Sequence, residues 1–196
     1  MADSIAIKTH AKAIFSSIHQ LNFGNPHGDV TLVEFLDYNC GFCKGSVGDA
    51  QVLMKREPNL KIAIKEFPVL GPGSTDAARV AIAVRMQDVG GGLLDADEKS
   101  FAFHRELMSH RGRVDKTVAL AVARRIGCDM TRLQRDLNSK DIETALEEVR
   151  RLAAILGISG TPGYVVGDQV LHGAAGVDVL GNHIKAARRA GTTLSR

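Results

Sequence analysis

From Val30 to Leu36 the chain reads Val-Thr-Leu-Val-Glu-Phe-Leu, a run dominated by apolar, β-branched and aromatic residues and preceded by the turn-forming Gly24-Asn-Pro-His-Gly28. A short apolar run bounded by turn residues predicts a buried strand over about 30–36. Immediately after it the period changes. Val47, Ala50, Leu53 and Met54 recur at helical spacing up to Pro58, which predicts a helix that begins at Cys40 and Cys43. Gly45 and Gly48 weaken that helix by about 1 kcal/mol each relative to Ala, a deficit that packing must offset. Leu60, Ile62 and Ile64 then alternate with Lys61, Ala63 and Lys65, the period of a strand, and Phe67-Pro68 ends it. The three elements form a β-α-β unit.

Gly71-Pro-Gly73 opens a region of helical periodicity. The pattern predicts a helix capped by Ser74 and running to about Gln87, with a break at Gly90-Gly91-Gly92. Further helices follow at about 97–109, at 116–126 with Asp115 as cap and Gly127 as stop, at 130–138 with Asp129 as cap, and at 141–156 before Gly157. Strand character returns at Tyr164–Val166, turns at Gly167-Asp168 and continues at Val170-Leu171 as a short hairpin. A last helix near 177–189 puts Val177, Leu180, Ile184 and Ala187 on one face, and residues 4–18 form an amphipathic helix at the other end of the chain. Parallel strands joined by a helix, then an antiparallel hairpin, imply an α/β protein with a mixed β-sheet covered by helices.

The 196 residues suffice for one domain, or a compact core with a sizeable insertion, and the composition of 44% hydrophobic and 24% charged residues is that of a globular chain. The net charge of +3 comes from bases scattered among acids, without a basic block interleaved with aromatics, which argues against a nucleic-acid surface. No apolar run approaches the roughly 18–20 residues of a membrane span. The first residues lack the pattern of a secretory leader, so the chain is read as cytosolic or as a mature form from which an export signal was removed.

Three cysteines are too few for a disulfide scaffold, but Cys40-Gly-Phe-Cys43 has C-x-x-C spacing. A thiol attacks only as thiolate, and a helix start offers unpaired N–H groups and the positive end of the dipole to a sulfur placed there. Cys40 is then the attacking thiol. Cys43, one turn on and less exposed, is the resolving one. Zinc would need a second ligand pair, and haem attachment would need His where Lys44 stands. Two merely structural cysteines remain the bland alternative. Glu34, six residues before Cys40, shares a sheet face with Leu32 and Leu36 if the strand is regular. Buried there, it would bind its proton more tightly and could move a proton when Cys43 resolves the mixed disulfide; alternatively it faces a solvent pocket or pairs with Lys65. Asp37 reads as a loop residue. In Ser159-Gly-Thr-Pro-Gly-Tyr164 an X-Pro bond in a tight loop just before a strand is a plausible cis peptide.

With the stretches Gly24–Cys43, Lys65–Ser74 and Gly160–Gly167, the chain resembles the DsbA-like group of thioredoxin-fold thiol-disulfide oxidoreductases, in the subgroup with Com1-like and suppressor-of-copper-sensitivity members, over roughly residues 12–190. The resemblance implies a thioredoxin-like fold with an inserted helical domain: an N-terminal helix and extension over 1–24, the core over 25–73 and 150–196, and the insertion over 74–149. It implies Cys40 as nucleophile, Cys43 as resolving thiol and Pro162 in cis. Gly41, Phe42, Thr161 and Pro162 would form the substrate-binding surface, with the Thr161 backbone offered to an extended peptide. Protein or peptide thiols and disulfides are the implied partners, together with a redox-recycling partner and without a cofactor. The implied compartment is the bacterial periplasm. Gly-Phe stands between the cysteines where the strongly oxidising type has Pro-His, and Thr161 stands where that type has Val, so oxidase and reductase or isomerase directions are both open. Rival readings are a non-catalytic peptide-binding or metal-binding module and a kappa-class glutathione transferase, whose sites generally lack a C-x-x-C pair.

Cys128 reads as a small buried hydrophobe. The seven histidines share no ligand spacing and carry no assigned role; His27, in the turn before the strand, reads as solvated. The helix over 4–18 offers Ile5, Ile7, Ala11, Ile14, Phe15 and Ile18 either to its own domain or to a homo-oligomer.

Overall fold

The structure is a computed structural model that describes residues 2–88 and 98–191. The expected Gly90–Gly92 break lies outside the described residues. Strand β2 (Val30–Leu36) is the axis of the fold. All seven of its residues are buried, because helices cover both faces of the sheet. It pairs in parallel with β3 (Leu60–Glu66) through the crossover helix α3 (Gly41–Arg56), and antiparallel with β4 (Gly163–Val166), which turns back into β5 (Gln169–His172).

One strand departs from the pattern. Leu21–Gly24, expected as extension and turn, is strand β1 and pairs antiparallel with β3, so the sheet order is β1-β3-β2-β4-β5. Its four residues Leu-Asn-Phe-Gly are too short a run to carry a period, and only the free edge of β3 makes them a strand. Gly24 at its end has φ +82°, and a Cβ there would lie 2.6 Å from the Leu60 carbonyl oxygen, so both conformation and space require glycine.

Pleating divides β2 between two cores. Leu32 and Leu36 face α3, the C-terminal helix α9 (Gly176–Arg189) and the insertion, in a cluster with Leu53, Ile62, Ile64, Leu180 and Ile184. Val33 and Phe35 face the other way, onto Ile7, Ile14, Phe15, Leu152 and Leu156. The N-terminal segment is two helices, α1 (Ala2–Thr9) and α2 (Ala11–Phe15), where one was expected, and their buried residues pack on this second face. Ile5 and Ile18 are the exposed remainder of the expected apolar stripe.

The insertion comprises α4 (Pro72–Asp88), α5 (Glu98–Ser109), α6 (Lys116–Arg125), α7 (Met130–Asp136) and the start of α8 (Lys140–Ile155). Asp115 and Asp129 cap α6 and α7 as expected. Ser74 does not cap α4. The helix starts two residues earlier, at Pro72, whose fixed φ suits a first helical position, and Ser74 is buried inside its first turn. Helix α8 runs unbroken across residue 149, where insertion and core were expected to meet: Ile142, Ala145 and Leu146 join the first cluster, Val149, Leu152 and Ala153 the second. Among the described residues no helix is long and apolar enough to cross a membrane.

Gly45 and Gly48 lie on the exposed side of α3, and a Cβ at either would meet nothing within 4 Å. Replacing both with Ala is therefore expected to raise the unfolding free energy by about 1 kcal/mol per site, read by equilibrium denaturation.

Candidate active site

The parallel strand β2 delivers the chain to the N-terminus of α3, and Cys40 stands at the cap position, followed by Gly41 and Phe42 in the first turn. The Cys40 N–H donates to the Asp37 carbonyl at 3.0 Å, closing a tight turn, and the Cys40 carbonyl accepts from Lys44 N–H at 3.1 Å. Both Cys40 and Cys43 are free thiols. Cys43 is sealed at 0% exposure, whereas Cys40 keeps 6%, and Phe42 beside it is 72% exposed. Of the two, Cys40 is the less enclosed.

On the other side of the thiols lies the loop before β4. The Thr161–Pro162 peptide bond is cis, and the Cys40 thiol donates to the Thr161 carbonyl at 3.2 Å. The Pro162 carbonyl accepts from Gly173 N–H at 2.9 Å, which anchors this loop to the end of β5. Gly163, the first residue of β4, lies so close to Ile158 that a Cβ would fall 2.7 Å from its Cγ2. Two segments 121 residues apart thus meet at one sulfur.

Glu34 projects from β2 on the face of Leu32 and Leu36, buried beneath α3, where the Ser46 hydroxyl lies 2.6 Å from its Oε1 and 2.7 Å from the Cys43 carbonyl oxygen. Ser46 has one proton and the carbonyl can only accept. That proton is directed at Glu34 Oε1 or at the Cys43 carbonyl, two acceptors that share one hydroxyl. Burial pushes the Glu34 carboxyl up to about 7, partly offset by the Ser46 bond. Burial also pushes the Cys43 thiol far up, against hydrogen bonding with the Asp37 backbone and the Thr161 side chain, and the Glu34 charge adds to the rise. Lys65 is not the partner of Glu34. It lies one register position away on the opposite face of the sheet, and its Nζ donates to the Ala13 carbonyl at 2.5 Å.

The residue least visible in the sequence is Asp37. Its carboxylate accepts from the N–H groups of Asn39, Val69 and Leu70, at 2.8, 2.8 and 2.9 Å, and so ties the turn before Cys40 to the loop after β3. Its contact with the N–H two residues on is an Asx turn, a signal available from sequence; the two long-range bonds are not. They hold Val69 and Leu70, 41% and 48% exposed, to the turn that precedes Cys40. Nearby, the Tyr38 hydroxyl donates to buried Glu66 at 2.9 Å, and burial pushes that carboxyl up to about 8. Cys128 is buried in the insertion, far along the chain from this site.

Residues 31–185 match the DSBA-like thioredoxin domain family. A thioredoxin-like oxidoreductase from Silicibacter pomeroyi DSS-3 superposes with a TM-score of 0.82 at 36% identity, over 91% of this chain and 97% of that one. The thiol-disulfide exchange protein alpha-DsbA2 from Wolbachia pipientis gives 0.82 at 30% identity, over 94% and 95%. A periplasmic thioredoxin-like protein from Salmonella enterica serovar Typhimurium gives 0.78 at 25% identity, over 91% and 95%. Among curated sequences, the Na(+)/H(+) antiporter NhaA 1 of Salinispora arenicola is 25% identical over 173 residues, and this chain spans about a quarter of its length. The chain belongs to the DsbA-like thioredoxin-domain family, and with it to the DsbA-like thiol-disulfide oxidoreductases. Its mixed five-stranded sheet with inserted helices is the thioredoxin-like fold of that family.

A carboxyl raised from 4.5 to about 7 by folding binds its proton more tightly in the folded state, so its stabilising effect is complete below pH 4.5 and is lost as pH rises to 7. Relative to wild type, Glu34→Gln is therefore expected to gain stability between pH 4.5 and 7 and to hold that gain above it, with denaturation curves at pH 5 and pH 8 as the check.

Proposed function

We propose that the chain exchanges disulfides with protein or peptide substrates, with Cys40 as nucleophile and Cys43 as resolving thiol. The observation that carries this reading is the placement of a partly accessible thiol at the N-terminus of α3, 3.2 Å from the Thr161 carbonyl, above a sealed second thiol. In the reducing direction the Cys40 thiolate attacks one sulfur of a substrate disulfide, the other substrate sulfur leaves as a thiol, and a mixed disulfide remains. Cys43 then passes its proton to the Glu34 carboxylate, by way of groups under α3, and attacks the Cys40 sulfur. The second substrate thiol is released, and the protein carries the Cys40–Cys43 disulfide. Oxidation of a substrate dithiol is the same sequence reversed.

The residues Gly41, Phe42, Thr161 and Pro162 are the proposed substrate contacts. A Cβ at Gly41 would meet nothing within 4 Å, Phe42 is exposed, and Thr161 borders the thiol with its backbone, in place to pair with an extended peptide. We place the protein in the bacterial periplasm, a compartment supported by the resemblance and by a similar protein described as periplasmic. A redox-recycling partner is part of the proposal. A homo-oligomer through α1 and α2 would have to use Ile5 and Ile18, since Ile7, Ile14 and Phe15 are spent on the protein's own sheet.

Cys40→Ser is expected to bring insulin reduction and dithiol oxidation down to the uncatalysed rate, while Cys43→Ser accumulates mixed disulfides that survive alkylation and denaturing electrophoresis. Unchanged rates in Cys40→Ser would refute the exchange reading. The reduction potential of the pair, equilibrated against glutathione, sets the direction: near about −120 mV it donates disulfides, near about −270 mV it reduces them.

A further inference from the structure

The helical insertion touches the active-site turn through a group of hydrogen bonds that the exchange chemistry does not itself require. Asn39, the residue before Cys40, accepts from Val114 N–H at 2.7 Å and donates to the Val114 carbonyl at 2.9 Å, as a neighbouring strand would. Its amide also donates to the Ser74 hydroxyl at 3.0 Å. Lys44, the residue after Cys43, donates its ammonium to the carbonyls of His110 at 2.8 Å and Gly112 at 3.2 Å, just beyond the C-terminus of α5, where the helix dipole is negative. Gly73 permits the approach, because a Cβ there would lie 2.8 Å from the Val114 carbonyl oxygen. The two residues flanking the C-x-x-C pair are thus both fastened to the one insertion loop, 110–114.

We propose that this loop is a positioning element for the redox pair: through Asn39 and Lys44 it holds the Cys40 turn in the dithiol state and so sets the reduction potential. The inference rests on the exchange reading above. Its physical basis is an asymmetry between the two redox states. When Cys40 and Cys43 are joined, the bond itself fixes the turn. When they are thiols, the turn at the N-terminus of α3 is held by hydrogen bonds alone, those of Asp37, Asn39 and Lys44 prominent among them. Loosening the latch therefore costs the dithiol form more than the disulfide form. Asn39 and Lys44 make no contact with a reacting atom and act through the turn.

The test is the equilibrium constant with glutathione for the full chain and for Asn39→Ala, Asn39→Asp, Lys44→Met and Lys44→Arg, with melting temperatures measured in parallel. Arg79→Ala, which removes a bond to the Leu137 carbonyl inside the insertion, is the control for destabilisation alone. Asn39→Ala and Lys44→Met are each expected to shift the equilibrium three- to tenfold toward the disulfide, about 15–30 mV by the two-electron relation. Lys44→Arg should restore most of it. Asn39→Asp keeps the acceptor for Val114 N–H and loses both donors, so it serves as a second reading of the clamp should Asn39→Ala fail to fold. Potentials equal to wild type in Lys44→Met and in the folded Asn39 variants, with melting temperatures lowered as in Arg79→Ala, would overturn the proposal and leave the loop a structural contact. A wild-type pair that never equilibrates with glutathione would overturn the exchange reading itself, and the latch with it.

Discussion

Strand β2 has no face left for water, and the rest of the structure follows from that constraint. A strand in the middle of a sheet with both sides covered must be apolar on both sides, and Val30 to Leu36 is, apart from Thr31 and the one charged residue, Glu34. Each covering layer comes from a different part of the chain. The N-terminal helices and the end of α8 close one side; α3, α9 and the insertion close the other. The carboxyl left inside borders a small cavity that Phe23, Val47, Met54 and His104 also line. It takes a hydroxyl from α3 as its partner and holds its proton to about neutrality, directly beneath the sealed thiol.

The chemistry collects where β2 ends. A chain leaving a buried strand and entering a helix must satisfy several backbone groups within a few residues. Asp37 meets much of that need, with three N–H groups from two loops on one carboxylate. The turn it builds presents Cys40 at the helix N-terminus, opposite the Thr161 carbonyl from β4's approach. The two thiols and the carboxyl are graded in enclosure: Cys40 keeps a small exposure at the start of α3, Cys43 is sealed, and Glu34 lies under the helix. Two chemically identical thiols thus differ in helix position, hydrogen-bond partner and burial.

The elements legible in the sequence are those whose period is long or whose caps are strong. Strands β2 and β3 and helices α3, α5, α6, α8 and α9 appear within a few residues of their expected bounds, and Asp115 and Asp129 cap where they were read. The failures have common causes. Strand β1 exists because β3 offers it an edge, a fact about residues about forty positions away. Ser74 has the right chemistry for a cap, but the favoured first-turn geometry of Pro72 starts the helix sooner and leaves the hydroxyl for Asn39. Helix α8 runs on through residue 149 and serves both cores in turn, the first up to Leu146 and the second from Val149.

The sequence by itself determined the β-α-β unit, the thiol pair at the start of its helix, the proline loop and a lone carboxylate in an apolar strand, since each is written in local spacing and residue type. Only the tertiary structure decided that Thr161 meets Cys40, that Glu34 takes Ser46 and not Lys65, and that Asp37, Asn39 and Lys44 fasten the turn to distant loops. Those are contacts between segments tens to more than a hundred residues apart. They depend on which faces the two cores bury, and a single chain carries no local period that records them.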